Sequence, residues 1–256
     1  MSTSLTILTF HAVDNRPSVI AFPPKLFQRS MARLHDRGYQ TLSLPELIDC
    51  LQRGVPFPER SLAITFDDGY QSVYEQAFPS LQRYGFTATV FLTVGAKGNG
   101  TKAERLPSMS GRSMLSWSEI KEMYRWGITF GAHTLTHPDL TTLPLKKVEI
   151  EINDSKAAIE DALDTPVACF AYPYGRYDTR CREIVSHHFV CACSDKLGLV
   201  RPDSDVYAME RVDAYYLRTD RLFAAMSTRL FPLYIRARAV PRQLGRALQG
   251  CISHKF

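Results

Sequence analysis

Ile64-Thr65-Phe66-Asp67-Asp68-Gly69 is the stretch on which the reading of this chain turns. Leu62 to Phe66 is apolar and β-prone, and it runs straight into two adjacent carboxylates and a glycine. Neighbouring acids repel, so a strand end that carries two of them needs something cationic to offset the charge. A metal ion does this, with one carboxylate as ligand and the other left as a base. Asp-Asp-Gly alone is also an ordinary turn, with Asp67 as a helix N-cap.

Strand-like and helix-like segments alternate on both sides of this turn. Upstream lie a strand over 5–13, a helix over 24–37 with Leu26, Phe27, Met31 and Leu34 on one face, a short strand over 39–44 and a short helix over 45–52. Downstream come a helix over 70–84 stopped by Gly85, a strand over 86–94 and an irregular stretch over 97–112. The capping box Ser116-Trp117-Ser118-Glu119 then opens a helix reaching Trp126. A strand over 128–131, a helix over 144–163, a strand over 167–172, a helix over 178–186 and strands over 189–194 and 206–216 complete the series. Repeated β-then-α units predict an α/β fold with parallel strands inside and helices outside. The chemistry-bearing residues all follow strands, where such folds carry their active sites.

The 256 residues, 45% apolar and 22% charged, suit one soluble domain with a sizeable core. No apolar run approaches the roughly 18 residues needed to span a bilayer. Met1 to His11 reads as the first strand rather than a signal peptide. The six cysteines, Cys50, Cys169, Cys181, Cys191, Cys193 and Cys251, include no Cys-x-x-Cys pair and read as small buried residues in a reducing compartment, which points to the cytoplasm.

The net charge of +5 is uneven: residues 218–256 hold eight basic side chains against Asp220 alone, a balance of +7 that leaves −2 for the rest. Residues 1–217 are therefore read as one α/β unit. Residues 218–256 are read as a basic, partly amphipathic segment, packed on that domain or lying peripherally on the inner membrane face. No zinc-finger or RNA-recognition pattern accompanies the charge, which argues against nucleic acid.

Gly131-Ala132-His133-Thr134-Leu135-Thr136-His137-Pro138 also follows a strand. Two histidines four apart share one face of a helical turn and can share a cation. Together with Asp67-Asp68 they offer one carboxylate and two imidazoles with an open position, the pattern of a catalytic metal centre.

Thr65-Phe66-Asp67-Asp68-Gly69, His133-Thr134-x-x-His137 and Tyr172-Pro173-Tyr174-Gly175 resemble, in that order, the first three motifs of the polysaccharide deacetylase family, the NodB-homology carbohydrate esterases of family 4 type. The likeness extends from Leu8-Thr9-Phe10-His11-Ala12-Val13 to about Gly175 and includes Met114-Leu115-Ser116-Trp117. It implies a distorted (β/α) barrel and metal-dependent removal of N-acetyl, or O-acetyl, groups from an acetylated carbohydrate or glycolipid. Asp68, His133 and His137 would hold a divalent ion, usually zinc in such enzymes, with other divalent transition metals open. Asp67 would be the general base, and the backbone N–H of Tyr174 would complete an oxyanion site. Tyr172 and Pro173 would help form the sugar groove, His11 would touch substrate or brace the site, and Thr134 would act from behind the ligands. Asp14 is a weaker candidate.

Two departures stand out. Many relatives place an arginine where this chain has Ala171, and many end with a Leu-x-His whose histidine protonates the leaving amine; here the general acid is unassigned. His187 and His188 end a helix at the far side of the barrel. The alternatives are a deformylase or amidase acting on a small non-sugar amide, and a non-catalytic carbohydrate binder.

Overall fold

The computed structural model describes residues 4–95 and 105–240. The chain begins with β1 (Thr6–Phe10), α1 (Pro24–Asp36), β2 (Gln40–Thr41), α2 (Leu44–Gln52) and β3 (Ser61–Phe66). It continues through α3 (Phe78–Tyr84), β4 (Thr89–Leu92), the short strands β5 (Ser108–Met109) and β6 (Arg112–Ser113), α4 (Trp117–Arg125) and β7 (Thr129–Ala132). Then follow α5 (Leu145–Leu163), β8 (Cys169–Ala171), α6 (Thr179–His188), β9 (Cys191–Leu197), β10 (Met209–Asp213) and α7 (Asp220–Ala225), with a further helix over 231–240.

Seven strands close into a parallel barrel in the order β1-β3-β4-β7-β8-β9-β10, with β10 pairing back to β1. The expected (β/α) barrel is thus what forms, with one unit fewer than eight. β2 stays outside the ring: it pairs with the first residues of β3, Gln40 with Ser61 and Thr41 with Leu62. β4 takes the same edge further along, from Thr65 and Thr89. Helices cover the outside and bury their apolar stripes against the strands, as α1 does with Leu26, Phe27, Met31 and Leu34.

A seven-stranded barrel is narrow, and small residues fill it. Ala63, Cys169, Ala171, Cys191 and Cys193 surround one large ring, Phe91, while Leu44, Leu47, Ile48 and Phe57 join the same cluster. Cys169, Cys191 and Cys193 are therefore interior filler, with Cys191 Sγ 3.4 Å from Cys169 Sγ; Cys181 is buried outside the barrel, Cys50 is half-buried, and Cys251 lies outside the described residues.

The helix read over 70–84 is interrupted. Pro79 lacks the N–H that an α-helix would use there, and residues Val73–Ala77 relax into a π-helical turn before α3 resumes. The irregular stretch is partly ordered: β5 and β6 form a small antiparallel hairpin, while 96–104 lie outside the described residues. That hairpin is tied to the loop after β1 by Arg112, whose Nε donates to Asp14 Oδ2 at 2.7 Å. Asp14, a weak site candidate in sequence, is a brace between two loops. After Leu217, α7 packs on α1, with Arg29 and Asp220 paired at 2.9 Å.

Gly131 shows how little interior space remains. A Cβ there would lie 2.5 Å from Phe91 Cδ1 and 2.8 Å from the Cys169 carbonyl oxygen. Gly131→Ala is expected to destabilise the fold by about 1–3 kcal/mol through overpacking, measured by urea unfolding.

Candidate active site

The site begins with the turn after β3. Asp67 N–H still donates to Phe10 O at 2.9 Å in barrel fashion. Asp68 and Gly69 then both turn left-handed, with φ of 73° and 82°. That reversal sends the two neighbouring carboxylates in different directions, and it needs residues that tolerate the left-handed region. Gly69 is required on a second ground, because a Cβ would meet Leu92 Cδ2 at 2.7 Å.

Asp67 points into the barrel and meets Arg211 of β10. The guanidinium holds it in a fork, Nη1 to Oδ1 and Nη2 to Oδ2, both at 2.7 Å, while Nε donates to Ser194 O at 2.8 Å. Both residues are buried. Burial opposes the Asp67 charge, yet the Arg211 charge and hydrogen bonds outweigh it and hold the carboxyl well below the usual range. The sequence reading missed this arginine, which supplies from another strand the brace that Ala171 cannot. The one available signal was a charged residue sharing the inward register of Met209 in Met209-Glu210-Arg211-Val212-Asp213.

Asp68 points the other way, towards two imidazoles. Its Oδ1 is buried with no hydrogen-bond partner. His133 Nε2 stands 3.5 Å from that oxygen and His137 Nε2 3.4 Å. His133 Nδ1 lies 2.7 Å from Ala171 O, an arrangement that puts the ring hydrogen on Nδ1 and frees the Nε2 lone pair. Burial pushes the His137 pKa down to about 4, which favours the neutral ring that a metal site would need. One ligand atom from each of Asp68, His133 and His137 lies within 4.8 Å of the others. An orphaned carboxylate oxygen facing two imidazole nitrogens fits a divalent cation.

The histidines do not sit on a helical turn. They occupy a loop after β7 in which Thr134 and His137 have φ of 68° and 60°. The side chain of Thr134 accepts from His137 N–H at 3.0 Å and so fixes the backbone of that histidine. Glu151 of α5, also missed in sequence, accepts from the N–H groups of Leu135 and Thr136 at 2.9 Å each and from the Thr136 hydroxyl. The four-residue spacing works here through a tethered loop rather than through helical geometry.

The remaining candidates divide. His11 follows β1, and its Nε2 is 3.8 Å from Asp67 Oδ2. Pro173 is buried, and Tyr174 has φ of 56° in a tight turn closed by Gly175 N–H donating to Tyr172 O at 2.8 Å. The Tyr174 ring is 56% exposed and stands edge-on to His137, with centroids 4.6 Å apart. Tyr172 also lines the cavity, with its ring largely buried, T-shaped to Phe170 and stacked on Tyr177. His187 and His188 sit at the end of α6, away from the cavity. The cavity itself, about 560 Å3, is lined by both aspartates, the histidines and Arg211, and its rim carries Tyr174, Tyr215 and Val19.

Comparison with known proteins places this geometry. The polysaccharide deacetylase family profile matches residues 54–190. The polysaccharide deacetylase-type protein YxkH of Bacillus subtilis (strain 168) is 30% identical over 234 residues, which cover 91% of this chain and 76% of the relative. The poly-beta-1,6-N-acetyl-D-glucosamine N-deacetylase of Staphylococcus aureus is 29% identical over 159 residues, 58% of this chain and about half, 52%, of that protein. Among solved structures, the Streptococcus pyogenes deacetylase PplD in complex with acetate superposes with a TM-score of 0.72 at 25% identity, covering 82% of this chain and 92% of that one. Barrel, motif order and relatives agree: the chain belongs to the polysaccharide deacetylase family and is a hydrolase of that type.

Proposed function

We propose that this chain removes N-acetyl groups from an amino-sugar polymer or glycolipid during its assembly, with a divalent transition metal, zinc by preference, held by Asp68, His133 and His137. The observation that carries this reading is the Asp68 oxygen left without a hydrogen-bond partner between two imidazoles, beside a second aspartate already committed to Arg211. When bound, the metal would polarise the amide carbonyl and make a water nucleophilic near neutral pH.

The residues of the chain do the rest. Arg211 keeps Asp67 ionised and fixed in direction, so Asp67 takes the proton from the attacking water. The Tyr174 backbone N–H is the donor for the developing oxyanion. His11, within 4 Å of Asp67 and open to the cavity, hands a proton to the leaving amine and fills the role that the sequence left unassigned. The exposed rings of Tyr174 and Tyr215 offer apolar faces to sugar C–H groups. The substrate named for the staphylococcal relative, an N-acetylglucosamine polymer, supports an N-acetylhexosamine chain. Residence in the cytoplasm is supported by the unpaired buried thiols.

Assays of acetate release from N-acetylglucosamine oligomers test the reading. Chelation is expected to abolish release and added Zn2+ to restore it, with formate and ammonia absent from the products; release of formate or ammonia instead makes the enzyme a deformylase or a small-molecule amidase. Asp67→Asn is expected to lower kcat by about 10²–10⁴-fold, the usual worth of a general base, with unchanged turnover contradicting the assignment. His11→Gln is expected to cost about 10²-fold in kcat with little change in KM. Arg211→Met leaves a buried carboxylate unpaired, so unfolding should become easier by about 3–5 kcal/mol and kcat should fall with it, while Arg211→Lys should recover part of both.

A further inference from the structure

The last described helix carries apolar residues on two faces. Over 231–240, Phe231, Ile235 and Ala239 are buried in the core. On the opposite side Leu230, Leu233 and Val240 are 68%, 59% and 55% exposed, and Ala237 lies exposed between them. At about 100° per residue these four fall within one arc of roughly 80°. Arg236 borders the arc on one side and Arg238, 5.5 Å over the Tyr234 ring, on the other, while Arg229 lies in the turn before the helix; all three arginines are exposed.

A solvated helix face ordinarily mixes both signs of charge and keeps its apolar residues inside. Here the sequence from Arg221 to Phe256 contains seven basic residues and no acid. The nearby cleft of about 770 Å3, which Arg236 and Val240 help to line, contains Asp203, Asp205 and Glu210. Of these, Asp205 is engaged by Arg182 at 2.9 Å and Glu210 by Lys196 at 2.8 Å.

We propose that this face docks on an anionic phospholipid bilayer, with Leu230, Leu233 and Val240 at the boundary between headgroups and acyl chains and the arginines against lipid phosphates. Nucleic acid would engage the arginines but gains nothing from a row of aliphatic side chains. A second copy of the chain would cover the aliphatic row but bring the same uncompensated charge. None of these residues lines the catalytic cavity, so the proposal stands apart from the deacetylase reading.

Co-sedimentation of the full chain with phosphatidylcholine vesicles, with and without about 30% phosphatidylglycerol, tests it. Binding to the anionic vesicles is expected to exceed that to neutral ones by about fivefold or more and to weaken in about 0.5 M salt. The double variant L233E/V240E and the triple variant R229Q/R236Q/R238Q should each cut that binding about fivefold, with unchanged melting temperature showing that both fold. Negligible binding to either vesicle overturns the proposal. So does vesicle binding indifferent to both variants, or duplex DNA bound in its place. A dimer that L233E/V240E dissociates while vesicle binding stays unchanged assigns the face to a second copy and overturns it as well.

Discussion

Two carboxylates that are neighbours in the chain, both buried at the end of one strand, set the terms for everything around them. Ionised side by side in a low-dielectric interior they repel strongly, and leaving either unpaired is costly. The turn resolves this by rotating the second residue into the left-handed region, so that the two acids face different partners. Asp67 meets a fixed internal cation, Arg211, and Asp68 meets a pair of imidazoles with which it could hold a metal ion. Remove the rotation and the proposed distinction between base and ligand is lost.

The surrounding fold exists in the form that this division requires. The barrel is tight, and β10 and β3 both pair with β1, so an arginine on one closes a fork across a single strand on the aspartate ending the other. The same tightness explains the interior of alanine, glycine and cysteine packed round Phe91, with the Arg211 guanidinium 5.8 Å over that ring. The loops are held by tethers of comparable logic: Glu151 for the histidine loop, and Asp14 with Arg112 for the wall formed by the β5–β6 hairpin.

Much of this was legible in sequence because it is written locally. Alternating apolar segments, the Ser116–Glu119 capping box and three ordered motifs were enough for the barrel and for the grouping of Asp67, Asp68, His133 and His137 in one cavity. What escaped is non-local. Arg211 is 144 residues from Asp67, and nothing in its own neighbourhood names its partner. Glu151 reads as one more solvent-facing acid on α5 until the loop above it is in place. Helical geometry was the wrong reason for pairing His133 with His137, since left-handed residues in a tethered loop do the same work. Tyr172 sits in a motif and lines the cavity, yet its ring is buried against Phe170 and Tyr177.

The account rests on unequal roles for two adjacent aspartates, and calorimetric titration of Zn2+ into metal-stripped protein addresses that directly. Asp67→Asn should bind one equivalent with an affinity within about tenfold of the parent, because its carboxylate belongs to Arg211. Asp68→Ala should lose about 10²-fold or more, as expected when a ligand is removed from a three-residue site. Equal losses in both variants, or tight binding that survives only in Asp68→Ala, would contradict the division.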